Sequence, residues 1–167
     1  MNKVRAVREG TCLPESLWGE ILMYVVEVDS LSPTKAQKNM TPYQNLTGVK
    51  PVVNNLRVCG CVAFAHVPKK KRAGKFSPRV VPTLFLGYAS TLMGYRLLNL
   101  RTGDLIERRD VSFREDITMD NTFVENFLAK HYKGRKIVEP DVVPFVRVND
   151  VLNTTVKLKS DRKRSDA

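Results

Sequence analysis

Acidic charge is in short supply in this chain: 17 Asp and Glu face 28 Lys and Arg, a formal net charge of +11. Such an imbalance raises affinity for phosphate backbones through counterion release, an attraction that salt weakens and that ignores sequence. Cysteine is scarce too. Three cysteines close no disulfide framework, which predicts a reducing compartment. No stretch approaches the roughly 18–20 apolar residues that a membrane span requires, so no membrane partner is expected. Met1 to Gly10 has no apolar core of a signal peptide, and the expectation is an intracellular protein. On that basis the sequons at Asn45 and Asn153 are chance.

The signatures of common chemistries are also missing. No glycine-rich phosphate loop and no paired nucleophile and base stand out. Cys59, Cys61 and His66 lie on one predicted strand with Cys12 far away, which does not match finger-like zinc spacing. Cys59 and Cys61 are expected on one strand face as small core residues, and His66 at a sheet edge. Asp104, Glu107 and Asp110 are the densest acidic group. In a strand, residues i and i+3 face opposite sides, so Asp104 and Glu107 cannot share a metal. Pairing with Arg101, Arg108 and Arg109 is the simpler expectation. No catalytic residue, metal ligand or cofactor is implied.

The cations are clustered. Lys69, Lys70, Lys71, Arg72, Lys75 and Arg79 form one acid-free run, and Lys157, Lys159, Arg162, Lys163 and Arg164 crowd the end. The first run is the expected nucleic-acid contact, to DNA or RNA phosphates without sequence preference. Phe76, Tyr88 and Tyr95 are available for stacking, although core positions explain each of them more simply. Pro68, Lys69, Lys70, Lys71 and Arg72 also read as a monopartite nuclear import signal, in which the proline keeps the run extended for an acidic receptor. The plainer alternative is a solvated hairpin loop.

Periodicity predicts an α+β chain. Leu17, Ile21, Val25 and Val28 recur as one helical stripe, widened by Trp18 and Leu22 and stopped at Ser32-Pro33. Pro14 and Glu15 suit its first turn. Thr41-Pro42-Tyr43-Gln44 has the form of a capping box, with Gly48 ending the short helix in a left-handed conformation. Leu56 to Val67 is apolar on both faces, as in a strand buried on two sides or a bent barrel strand. Pro82–Ala89, Gly94–Leu100 and Asp104–Phe113 supply further strands, with a tight turn at Arg101-Thr102-Gly103-Asp104. Asp120-Asn121-Thr122 starts another helix, with Phe123, Phe127 and Leu128 as its apolar edge. Residues 137–167 are expected to be a weakly structured basic tail whose last ten or so residues are disordered.

Several blocks have a familiar order: Thr41-Pro42-Tyr43, Gly48-Val49-Lys50-Pro51, Leu56 to Ala63, Leu84-Phe85-Leu86-Gly87-Tyr88, Gly94-Tyr95-Arg96-Leu97 and Arg109-Asp110-Val111-Ser112-Phe113. They resemble the copia-type retrotransposon Pol polyprotein where its integrase core ends and a small Src-homology-3-like barrel follows. Leu13 to Glu20 is similar to the penultimate helix region of that core. The resemblance implies a remnant of the integrase core over 1–53 and an antiparallel Src-homology-3-like barrel over 54–115. Beyond Phe113 it thins out, and the residue pattern alone adds an appended helix over 116–136 and the tail over 137–167. The resemblance also implies that the family's Asp/Asp/Glu catalytic centre lies upstream of these blocks. The expectation is therefore a non-catalytic fragment or relic, with no strand transfer or nuclease activity. Its implied partners are nucleic acid, integrase-type chains and an import receptor, and its implied location is the nucleus.

A second reading is an exapted factor that acts on a protein target. One variant rests on Arg96-Leu97-Leu98-Asn99 followed by Asp104 to Arg109, which faintly resembles the RxLR–dEER pair of oomycete secreted effectors. It departs at Asn99 and at the single Glu107. That variant would be secreted into a host cell and then reach its nucleus.

Overall fold

The computed structural model of the protein describes residues 2–72, 74–90, 93–132 and 143–148. The elements in chain order are α1 (Asn2–Thr11), α2 (Trp18–Ser30), α3 (Pro42–Thr47), β1 (Val62–His66), β2 (Val80–Tyr88), β3 (Tyr95–Asn99), β4 (Leu105–Arg108), β5 (Val111–Arg114), β6 (Ile117–Met119), α4 (Asn121–Tyr132) and β7 (Phe145–Arg147). The α+β expectation is met.

Five antiparallel strands form one sheet in the order β4-β3-β2-β1-β5. The two edge strands, β4 and β5, are consecutive in the chain and joined only by Arg109 and Asp110. Four strand spacings of about 4.8 Å would separate the edges of a flat sheet by roughly 19 Å. The link from Arg108 to Val111 spans at most about 10 Å. The sheet therefore curls toward closure, which makes the Src-homology-3-like barrel.

Alternation sorts the strand residues onto two sides. Cys61, Ala63, Ala65, Phe85 and Leu97 point into the barrel, where Tyr24, Tyr88, Tyr95 and Phe113 pack around Phe85. Val62, Leu84, Leu86 and Leu98 point the other way and meet Leu17, Ile21 and Val25 of the helical segment. Ile21 is completely buried there. The stripe on α2 thus covers the barrel. Arg96 on β3 fastens the contact, its guanidinium donating to both carboxylate oxygens of Glu20 at 2.5 and 3.0 Å.

Local signals act as expected at three ends. Thr41 Oγ1 accepts from the Gln44 amide at 3.0 Å, and Gly48 ends α3 at φ +73°. Gly103 turns the β3–β4 hairpin at φ +81°. Asp120 caps α4 by accepting from the Phe123 amide.

Elsewhere the structure corrects the sequence reading. Leu56–Cys61 is turns rather than strand: Leu56 N–H donates to Val53 and Cys61 N–H to Val58, and Gly60 stands at φ +79°. That reversal breaks the alternation, so Cys59 joins the helix-side core and Cys61 the barrel interior, on opposite faces. Burial pushes both thiols up to about 12. The run from Asp104 to Phe113 is two strands, because β5 leaves β4 to pair with β1. Trp18 does not widen the buried stripe. It lies half-exposed in a groove beside Val4, Arg5, Arg8 and Glu15. The helix α1 was not anticipated; it lies along α2, with Val4 in the core and Lys3 2.7 Å from Asp29. Part of the supposed tail, β7, pairs with β6. Residues 137–142 and 149–167 of the expected tail, including the basic cluster from Lys157 to Arg164, lie outside the described residues. Among the described residues no helix is long and apolar enough to cross a membrane.

Candidate nucleic-acid interface

The basic run lies on the hairpin loop between β1 and β2. Antiparallel pairing brings His66 opposite Val80, and one more bond, from Val67 N–H to the Arg79 carbonyl at 2.9 Å, closes the loop's base. Pro68 then starts a 3-10 turn over Lys69–Lys71, sealed by Arg72 N–H to the Lys69 carbonyl. The expected extended run is therefore folded into a turn. Pro68 stands just before that turn with φ −57° and ψ 144°, so it is itself extended and does not prevent the turn that follows.

Arg72 differs from its neighbours. Its Nε donates to the Val67 carbonyl at 3.0 Å and its Nη2 lies 3.1 Å from His66 Nε2. A guanidinium only donates, so this contact needs a neutral His66 ring protonated on Nδ1. Arg72 fastens the loop to the barrel. Lys69, Lys70, Lys75 and Arg79 are exposed, and none has an acidic partner among the described residues. A second turn, Ser77 N–H to the Gly74 carbonyl at 3.2 Å, presents Phe76 at the tip. Phe76 is 99% exposed and is not a core residue.

Tyr88 and Tyr95 lie elsewhere. Each packs edge-on to Phe85, and Tyr95 also meets Phe113 at 4.8 Å. The Tyr88 hydroxyl accepts from the Arg57 amide at 3.1 Å, and burial raises its pKa. Their outer edges line a shallow cleft of about 570 Å³ with Asn55, Met93, Arg109 and Asp110. His66 N–H donates to the Asp110 carbonyl at 3.0 Å, which places exposed Arg109 next to the base of the basic loop. The sequence reading assigned Arg109 to charge pairing; only the β1–β5 register reveals this neighbour.

The acidic group is dispersed. Glu107 pairs with Arg96 at 3.6 Å, across the β3–β4 ladder, rather than with its sequence neighbours alone. Arg96 to Asn99 is strand β3, with Leu97 and Leu98 fully buried, so these residues are not presented as a linear signal.

Residues 61–126 match the family model described as the retroviral polymerase SH3-like domain. The chain is similar to the retrovirus-related Pol polyprotein from transposon TNT 1-94 of Nicotiana tabacum, 36% identical over 69% of this chain and 9% of that relative. It is also similar to those from transposons RE1 and RE2 of Arabidopsis thaliana, 29% and 28% identical, each over 62% of this chain and 7% of the relative. The chain thus spans less than a tenth of the length of the polyproteins it matches. No solved structure matches it. The matched domain is not itself a catalytic one, and it begins inside the turn that leads to β1 and runs into α4. Residues 61–126 are therefore a retroviral polymerase SH3-like domain, in a chain related to the copia-type Pol polyproteins of plant transposons.

Proposed function

We propose that this domain is a non-catalytic nucleic-acid-binding module whose β1–β2 loop lies along the phosphate backbone. One observation carries the reading: Lys69, Lys70, Lys75 and Arg79 are exposed on an acid-free hairpin loop, with no acidic partner among the described residues. Unpaired surface cations on a pre-formed loop exchange condensed counterions for contact at little ordering cost. Arg72 supports them by holding the loop closed.

Salt titration tests this. Neutralising Z phosphates makes log K fall with log salt at a slope of roughly −0.9Z on duplex DNA, so the four exposed cations give about −3 to −4. The slope should be equal for unrelated sequences. Replacing Lys69, Lys70 and Lys71 with Ala should flatten it by about 3 if all three touch phosphate. An unchanged slope would place the contact elsewhere in the chain.

A further inference from the structure

Phe76 has no structural explanation in the fold. Its ring is 99% exposed, whereas Phe85 at the barrel centre is fully buried and Trp18, the next large aromatic in exposure, is at 53%. Both faces of the Phe76 ring are open. It projects from a turn held by Ser77 N–H to the Gly74 carbonyl, between Lys75 and Arg79. The loop base is fixed by Val67 to Arg79 and by Arg72 to Val67, so the ring is offered at the tip of a closed cationic hairpin.

Resting on the phosphate-binding reading above, we propose that Phe76 is a base-stacking residue and that the preferred ligand is single-stranded nucleic acid. The chemistry favours this ligand over a duplex. A π-face stacks on any base without reading its identity, but only an unpaired base exposes its own face. In a duplex the same contact would first require unstacking two base pairs. Lys75 precedes the ring in sequence and Arg79 follows it, both exposed on the same loop, which leaves cations available for the phosphates beside a stacked base. An anionic membrane also attracts an aromatic ring among cations. Beyond Phe76, the loop's exposed residues among those described are lysines, Arg79, two prolines and Gly74, and one ring supplies little apolar area to hold a protein on a bilayer.

The test compares wild type, Phe76→Ala, Phe76→Leu and Phe76→Trp in binding to a fluorescent oligothymidylate and to a duplex, across a salt series. Because the side chain touches nothing, the variants should fold as wild type does, which circular dichroism checks. Phe76→Ala should weaken the single strand on the order of 10-fold at every salt concentration. Its log K against log salt slope should stay unchanged, since no charge is lost. Phe76→Leu should fail to rescue and Phe76→Trp should restore binding. The duplex should be indifferent to all three. Unaltered single-strand affinity in Phe76→Ala, with the salt slope intact, would overturn stacking and leave the phosphate reading standing. Wild type without salt-dependent binding would overturn both. Phe76-dependent retention on phosphatidylserine vesicles, with no change on the oligonucleotide, would overturn stacking in favour of a membrane.

Discussion

Asp120 shows how much one side chain can decide locally. It stands at the start of α4, where the first amides have no intrahelical partner, and its Oδ1 accepts from the Phe123 amide and the Thr122 hydroxyl. The Thr122 hydroxyl chiefly, then the Phe123 amide, hold its carboxyl below its ordinary value of 3.8. A folded-state value lowered in this way adds stability above the unfolded value and loses it as pH falls through the folded one. Asp120→Ala should therefore cost about 1 kcal/mol at neutral pH. The gap from wild type should close in acid, below the carboxylate range. Asp120→Asn, which keeps an accepting oxygen, should lose less. Urea titrations at neutral and acidic pH measure this, and a gap that persists unchanged in acid would mean that the cap is not the cause. The signal was visible in the sequence, because Asp-Asn-Thr before an apolar edge is a local device. The Arg96–Glu20 pair was not, because it joins residues 76 apart and only folding brings them together.

Among the elements, the β3–β4 hairpin is the tightest joint. A Cβ on Gly94 would stand 2.8 Å from the Arg108 carbonyl oxygen and 3.1 Å from its carbon, both backbone atoms that cannot swing aside. Gly94→Ala should therefore destabilise the protein by about 1–3 kcal/mol, as overpacking does. Hydrogen exchange should quicken in Tyr95–Asn99 and Leu105–Arg108 before it does in α2. Gly19→Ala is the control: it meets nothing within 4 Å on α2 and should be neutral or stabilising, by up to about 1 kcal/mol. If Gly94→Ala proved as stable as Gly19→Ala, the close approach would be wrong. Strand identity is legible where alternation runs unbroken, from Cys61 to Ala65 and from Leu84 to Leu86. It failed at Gly60, where one positive φ sends Cys59 and Cys61 to opposite sides. The helix α1 leaves little trace in the sequence because only Val4 and Val7 mark its apolar face. At the candidate interface, the acid-free run was legible from charge alone. Its turn at Lys69–Lys71, the diversion of Arg72 to His66 and the exposure of Phe76 were not, since each depends on how the hairpin closes.

Over the whole molecule, the barrel and the helices before it share one core. Leu13, Leu17, Ile21 and Val25 pack in the same cluster as Val62, Leu84, Leu86, Leu98 and Leu100. The matched family domain begins only at Cys61, so it leaves out Leu13, Leu17, Ile21 and Val25, although Met119 and Val124 of the same cluster lie within it. Sheets with one apolar face need a covering layer, and truncating even a single buried Ile to Ala typically costs about 2–5 kcal/mol. The full chain should therefore unfold in one step, with Trp18 fluorescence from the helical segment and far-ultraviolet dichroism reporting the same midpoint. A chain lacking residues 2–30 should lose that sharp transition and bind hydrophobic dyes, because Leu84, Leu86 and Leu98 would face water. Loss of the Glu20 carboxylate would at the same time leave Arg96 with Glu107 alone of its two acidic partners. The basic loop lies at one end of β1 and β2 and inherits its shape from their pairing, so the proposed salt-dependent binding should weaken in the trimmed chain together with its fold. A sharp transition at an unchanged midpoint without residues 2–30 would show the barrel to be self-sufficient, with the helices merely attached to it.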